Sequence, residues 1–172
     1  MKKFSTLILA VFILTTFTFF ALGSGSDSSS VSSGDGDSSV KTTEGTKELT
    51  ANVGDVLTTE SLKITYVSCE EYKNYSEYSK PKSGNIIYKL SFNVENIGTT
   101  DRFVSYMDFK CYADNVATEA YYSVDDDLSA TVSSGRAAKG NVYFEVPKNA
   151  EKVEVEYETD FWTGGKAIFT VK

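Results

Sequence analysis

From Glu48 onward, apolar side chains recur at every second residue, the spacing of an extended strand rather than a helix. In NIIYKLSFNVEN, Ile86, Tyr88, Leu90, Phe92 and Val94 fall on one face, and Lys89, Ser91, Asn93 and Glu95 on the other. That is a half-buried strand of an antiparallel sheet. RFVSYMDFKCYAD places Phe103, Met107, Phe109 and Cys111 on an expected inward face, with Tyr106, Asp108, Lys110 and Tyr112 opposite. NVYFEV offers Val142, Phe144 and Val146 to a core, and KVEVEYE alternates Val153, Val155 and Tyr157 with three glutamates. KAIFTVK ends the chain with Ala167, Phe169 and Val171 on one face.

Further strands are expected at Glu48–Val53, Val56–Thr58, Ser61–Glu71 and Leu128–Val132, and a weaker one at Val116–Tyr122. NVGD, KSGN, NIGTTD, SSGR, PKNAE and TGGK separate these runs with residues that tolerate turn geometry. Pro147 has no amide hydrogen and should end its strand. Helical signal is confined to about one turn around Tyr72–Tyr78. About seven or eight short antiparallel strands with these turns predict an all-β sandwich over residues 48–172.

The chain before Glu48 is built differently. Lys2 and Lys3 precede an apolar run from Leu7 to Phe20, and small residues follow, with Ala21 and Gly23 positioned for cleavage before Ser24. Residues 1–23 therefore predict a secretory signal peptide. Its apolar run falls short of the roughly 20 residues a bilayer requires, so membrane attachment is expected only if this segment stays uncleaved. Residues 24–47 are rich in serine, glycine, aspartate and threonine, with Val31 and Val40 as the only apolar members. Such a stretch buries too little surface to offset ordering entropy and predicts a disordered linker.

Charge and composition narrow the chemistry. The net charge is −7, and removing Lys2 and Lys3 makes the remainder more acidic. An acidic surface disfavours nucleic acid, whose phosphates call for basic patches, and anionic lipid for the same reason. The sequence contains no histidine. Ser-His-Asp and Cys-His catalysis and imidazole-built metal sites are thereby excluded. Neither a glycine-rich phosphate loop nor a G-x-S-x-G nucleophile turn is present. No cofactor is expected.

Cys69 and Cys111 are the two cysteines, in a chain whose expected compartment allows disulfides to persist. A bond between them would be worth roughly 4 kcal/mol in the chain-entropy model. Cys111 falls on the inward face with Phe109. With Leu62, Ile64 and Tyr66 inward, simple alternation turns Cys69 outward, unless a β-bulge near Val67–Ser68 reverses the register. A structural disulfide and two buried thiols both remain open.

Three blocks carry a resemblance: ANVGDVLTTESLKITYVSCEEY, NIIYKLSFNVENIGTTDRFVSYMDFKCYADN and SSGRAAKGNVYFEVPKNAEKVEVEYE. Together they resemble a family of exported Gram-positive domains of unknown function, commonly lipoproteins and sometimes mislabelled telomeric repeat-binding factors. The matching positions are Val53-Gly54-Asp55, Asn96-Ile97-Gly98 and Gly140 through Pro147. Ser134-Gly135 stands where proline-glycine is usual, and Phe109-Lys110-Cys111 at a Phe-x-Leu position. The resemblance spans nearly all of 48–172 and implies an immunoglobulin-like sandwich similar to a mycobacterial immunoprotective extracellular antigen. It implies no catalytic residues. The chain departs from the lipoprotein pattern at Ser24, where a lipid-bearing cysteine would stand, and no cysteine precedes Cys69. Secretion or a cell-surface location is expected, without lipidation.

Two surface candidates arise. Tyr72, Tyr75 and Tyr78 recur at three-residue spacing in a charged loop, and exposed rings of this kind hold sugars and peptides. Tyr121, Tyr122 and Trp162 could join them. The alternative role for the tyrosines is packing over the sandwich end, and for Trp162 a lid over the core. Asp125, Asp126 and Asp127 with Glu119 are a weak candidate for a cation, since adjacent aspartates point apart. No carboxylate pair is placed by sequence for acid–base hydrolysis. The leading expectation is a non-enzymatic binding module for an extracellular protein, peptide or glycan. A self-associating envelope domain and a carboxylate-dependent hydrolase are the alternatives. Oligomeric state is open.

Overall fold

The computed structural model describes residues 30–32, 48–122, 126–160 and 165–172. The strands are β1 (Ser30–Ser32), β2 (Glu48–Ala51), β3 (Val56–Thr58), β4 (Leu62–Tyr72), β5 (Asn85–Asn96) and β6 (Arg102–Ser105). There follow β7 (Phe109–Ala113), β8 (Val116–Ala117), β9 (Glu119–Ala120), β10 (Ser129–Val132), β11 (Ala137–Pro147), β12 (Val153–Asp160) and β13 (Gly165–Thr170). One sheet runs β1-β3-β4-β5-β11-β9, the second β2-β13-β12-β7-β8, and β10-β6 form a two-stranded ribbon. Among the described residues the strands pair antiparallel, except β13 with β2. The chain is thus the all-β, immunoglobulin-like sandwich expected. The described residues hold more strands than the expected seven or eight, since the runs at 102–113 and 116–122 are each split in two and β1 is added. Among the described residues no helix is long and apolar enough to cross a membrane.

Alternation builds the core. Leu90, Phe92 and Val94 on β5 stand beside Val142 on β11 and Ile64 and Tyr66 on β4, all buried. The second sheet answers with Phe109, Cys111, Val153, Val155, Ala167 and Phe169. Ser30–Ser32 lie in the stretch expected to be linker, yet β1 pairs with β3, Val31 opposite Leu57. Backbone pairing at an edge needs no buried side chain, so polarity alone does not forbid it.

The expectation of one continuous strand through Phe103, Met107, Phe109 and Cys111 is corrected. Residues Tyr106–Asp108 form a 3₁₀ turn. The Ser105 hydroxyl accepts from the Met107 amide at 3.1 Å, and an Asp108 carboxylate oxygen accepts from the Ser105 amide at 3.0 Å. Short polar side chains of this kind offer the backbone an alternative to ladder pairing. The chain therefore leaves β6, which pairs with β10, and enters β7 in the other sheet beside β12. Phase is lost at the turn: Val104 is buried, whereas Phe103 is 65% and Met107 71% exposed.

Gly140 sits mid-strand on β11, opposite Phe92. A Cβ there would lie 2.6 Å from Leu128 Cα and 2.9 Å from Leu128 N and Cβ. The segment carrying Leu128 can approach only because Gly140 has no side chain; Leu128 N donates to Asn141 O at 2.8 Å. Gly140→Ala is expected to destabilise by about 1–3 kcal/mol through overpacking, seen as a lower urea midpoint. An unchanged midpoint would mean that Leu128 yields freely.

Candidate functional site

The loop between β4 and β5 carries the three candidate tyrosines, and the structure separates them. Tyr72 ends β4 opposite Ile87, on the outer face of its sheet. Its ring lies edge-on to Tyr143 at 5.0 Å between centroids and tilted on Tyr121 at 6.1 Å, and its hydroxyl donates to Asn74 O at 2.7 Å. Beside these rings Ile87 is fully buried and Tyr143 nearly so. Tyr143 donates a short hydrogen bond to an Asp126 carboxylate oxygen, whose other oxygen lies 3.3 Å from Lys89 Nζ. Tyr72 and Tyr121 are thus packed into a small outer-face cluster. Tyr75 is half-buried. Tyr78, in the 3₁₀ turn Glu77–Ser79, is fully exposed. Of the three, Tyr78 offers a whole free ring.

The loop returns to the fold through KSGN. Gly84 has φ +87° and the Asn85 amide donates to Lys82 O at 2.9 Å, a type II turn that glycine suits. Just before it, Lys82 makes a clasp. Its main-chain amide donates to Glu145 Oε1 at 2.8 Å, and its ammonium to Glu119 Oε2 at 2.6 Å. Asn85 Nδ2 also donates to Glu145 Oε1, at 2.8 Å. Glu119 and Glu145 stand directly opposite on β9 and β11, where like charges repel. The Lys82 ammonium carries a raised pKa, chiefly through its hydrogen bond to Glu119.

Beside this clasp a cleft of about 220 Å³ opens between the edges of the two sheets. It is lined by the apolar residues Ala113, Val116, Ala117 and Pro147 and by the polar residues Lys82, Asn85, Thr118, Glu119 and Glu145. The β7–β8 hairpin shapes its far side through Asp114 and Asn115, both at positive φ, as a two-residue turn requires. Asp114 Oδ1 accepts from the amides of Glu151 and Lys152 at 3.0 and 2.8 Å, tying the hairpin to the strand beyond. Neither this turn nor the grouping of Lys82, Glu119 and Glu145 follows from hydrophobic spacing along the chain. The adjacent Asp114-Asn115 pair was the signal available for the hairpin, but strand register had to be known before the glutamates could be placed together.

Trp162 and Asp125 lie outside the described residues. The backbone at Asp127 bridges to Asn141. Glu119 is held by Lys82 and Asp126 by Lys89, so the structure does not gather them, and no group of three metal-ligating side chains forms among the described residues. The bulge envisaged near Val67–Ser68 is present, between Tyr66 and Ser68, and it turns Cys69 inward opposite Leu90. Cys69 and Cys111 are nevertheless free thiols, not a bonded pair. They belong to opposite sheets, Cys111 within the core and Cys69 packed against it.

Burial raises the thiol pKa of Cys69, and pushes that of Cys111 up to about 11 from 9.0. Above roughly pH 9 the unfolded thiols ionise while the folded ones stay protonated, so the folded state loses stability as pH rises towards 11. The melting temperature is therefore expected to fall through that window. A disulfide-exchange reagent at pH 8 should leave the native thiols unmodified and titrate both after urea unfolding. A single fast-reacting thiol in the native protein would contradict this burial.

The family model described as "Domain of unknown function (DUF4352)" matches residues 51–168. The chain belongs to this family. The match runs from the last residue of β2 into β13 and so takes in β3 to β12 and the cleft. Among curated proteins nothing matches. Solved structures agree on the fold. The candidate lipoprotein ycdA of Bacillus subtilis aligns with a TM-score of 0.54 at 16% identity, over 66% of this chain and 37% of its own. The chain thus spans little more than a third of the length of ycdA. The yjhA protein of Bacillus subtilis gives 0.54 at 12% identity, over 70% of this chain and 98% of its own. An uncharacterized β-sandwich protein of Clostridium difficile gives 0.50 at 11% identity, over 76% and 98%.

Proposed function

We propose that this DUF4352 domain is a secreted or cell-surface binding module that catalyses no reaction and grips an extracellular protein, peptide or glycan through loops at one end. The observation that carries this reading is the fully exposed ring of Tyr78 on a loop fastened beside a cleft of about 220 Å³. A bare tyrosine ring supplies an apolar face and a hydroxyl at small entropic cost, which suits a partner surface better than solvent. The signal-like residues 1–23, the absence of histidine and the candidate-lipoprotein relative support the location and the lack of catalysis.

The test is capture from envelope and culture extracts with the chain from residue 24 onward, beside a Tyr75→Ser/Tyr78→Ser variant of equal melting temperature. A partner bound by the native chain and lost by the variant is expected. Equal capture by both would clear the loop of this role.

Self-association is the second reading. It is favoured by β6, a sheet-edge strand whose Phe103 is 65% exposed, with Met107 71% exposed just beyond it. Sedimentation of the native chain and of Phe103→Ser/Met107→Ser would separate the two readings, since only self-association predicts a mass that rises with concentration and drops in the variant.

A further inference from the structure

The cleft beside the clasp has the chemistry of a receptor for a positively charged side chain. Two carboxylates, Glu119 and Glu145, stand opposite each other on neighbouring strands in its lining. Both hydrogen bonds that Glu145 accepts reach Oε1, and Glu119 is held through Oε2. One oxygen of each carboxylate is thus left for a further donor. The chain's own Lys82 ammonium already demonstrates the fit, seated 2.6 Å from Glu119. That seat is weakly held, because the side chains of Lys82 and Glu119 are 65% and 74% exposed and solvent screens such pairs. Val116, Ala117 and Pro147 in the cleft lining could cover the hydrocarbon stem of a lysine or arginine, as long basic side chains prefer. A net charge of −7 would draw a basic partner and repel an acidic one.

We infer that this cleft binds a basic side chain of an extended peptide, arginine above all, by exchange with the Lys82 ammonium at Glu119 and by contact with Glu145. Arginine fits best because its planar fork can address two carboxylates at once, where an ammonium is a point charge. The inference rests on the proposal that the end loops bind a partner, and names the chemistry of that partner. Lys82 then acts as a placeholder that keeps the opposed glutamates from repelling each other while the cleft is empty.

The experiment is a titration of the ¹⁵N-labelled chain from residue 24 onward with an acetylated, amidated Gly-Arg-Gly-Arg-Gly peptide. The same peptide with citrulline in place of arginine keeps the shape and removes the charge. Saturable shifts at Thr118, Glu119 and Glu145 are expected with the arginine peptide only, weakening as sodium chloride is raised. Glu119→Gln or Glu145→Gln should lower affinity about tenfold, the worth of one charge-assisted hydrogen bond. Lys82→Ala should raise it about two- to fivefold, since an exposed internal competitor is removed. Melting temperatures measured alongside show whether each variant is folded. Equal binding of the citrulline peptide, no binding of either, or weaker binding by Lys82→Ala would overturn the inference. The Tyr75→Ser/Tyr78→Ser variant keeps the two proposals apart. Arginine binding retained in that variant supports the cleft even where the tyrosine loop is cleared, and capture of a partner undiminished by Glu145→Gln overturns the cleft while leaving the loop standing.

Discussion

Phe92→Ala should lower the unfolding free energy by about 3–5 kcal/mol, the range for removing a buried aromatic side chain. Phe92 is 1% exposed and is the hub of a ring cluster that joins the two sheets. It stacks on Tyr66 of β4 at 5.3 Å, lies tilted to Phe109 of β7 at 4.9 Å, and meets Phe169 of β13 edge-on at 4.9 Å. Tyr66 adds an edge contact to Phe169 at 5.3 Å, and its hydroxyl donates to Thr170 O at 3.2 Å across the sandwich. Truncating the hub therefore removes contacts to both sheets and leaves a cavity that neither sheet can close alone. Urea unfolding followed by tryptophan fluorescence and circular dichroism would measure it, with the two probes required to coincide. A cost below about 1 kcal/mol would show that the rings relax into the gap, which a packed interior of this kind should not permit.

The same residue marks what the sequence makes legible. Phe92 lies in a run whose alternation is uninterrupted from Tyr88 to Val94, and its inward face follows from spacing alone. Ile87 does not follow that rule. It occupies the outward face of β5 and is buried because Tyr72, opposite it, and Tyr143 and Tyr121 close over that patch. Two-residue periodicity reports which face a side chain takes, but not whether another segment later covers that face. Hence spacing left binding and packing both open for Tyr72, whose ring packs on Tyr143 and Tyr121, while Tyr78, six positions along, stays bare.

Register is the second place where spacing fails. The bulge at Val67 could be named as a condition for turning Cys69 inward, but nothing in SLKITYVSCEEY fixes an extra residue there. The break at Tyr106–Asp108 is hidden from spacing because Phe103, Met107, Phe109 and Cys111 share one parity. Ser105 and Asp108, three apart and each bonding the other's end of the turn, are the residues that override it. The Glu119–Glu145 clasp shows the same dependence at the candidate site, since two carboxylates far apart in sequence oppose each other only once β9 pairs with β11.

Asn96→Ala should cost about 2–4 kcal/mol, because three buried or half-buried backbone groups would lose their partner. Asn96 is fully buried at the end of β5. Its Nδ2 donates to Val132 O at 2.7 Å and to Thr100 O at 2.8 Å, and its Oδ1 accepts from the Gly98 amide at 3.0 Å. One side chain thus fastens the β5–β6 connection to the end of β10. Main-chain bonds run alongside, with the Asn96 amide donating to Arg136 O at 2.8 Å and the Gly135 amide to Asn96 O at 2.9 Å. Asparagine suits the position because it presents two donors and an acceptor on one short stem. Asn96→Asp separates this account from simple packing. At pH 7 its carboxylate would face the carbonyls of Val132 and Thr100 with no hydrogen to offer, so it should be at least as unstable as alanine. Burial and those carbonyls would raise its pKa above the unfolded value, so the variant should recover part of its stability as pH falls towards 4. A deficit independent of pH would point to shape rather than hydrogen bonding. With the predicted recovery, the Asn-x-Gly element in this chain is accounted for as a device that closes the fold, at the end of β5 away from the Lys82 clasp.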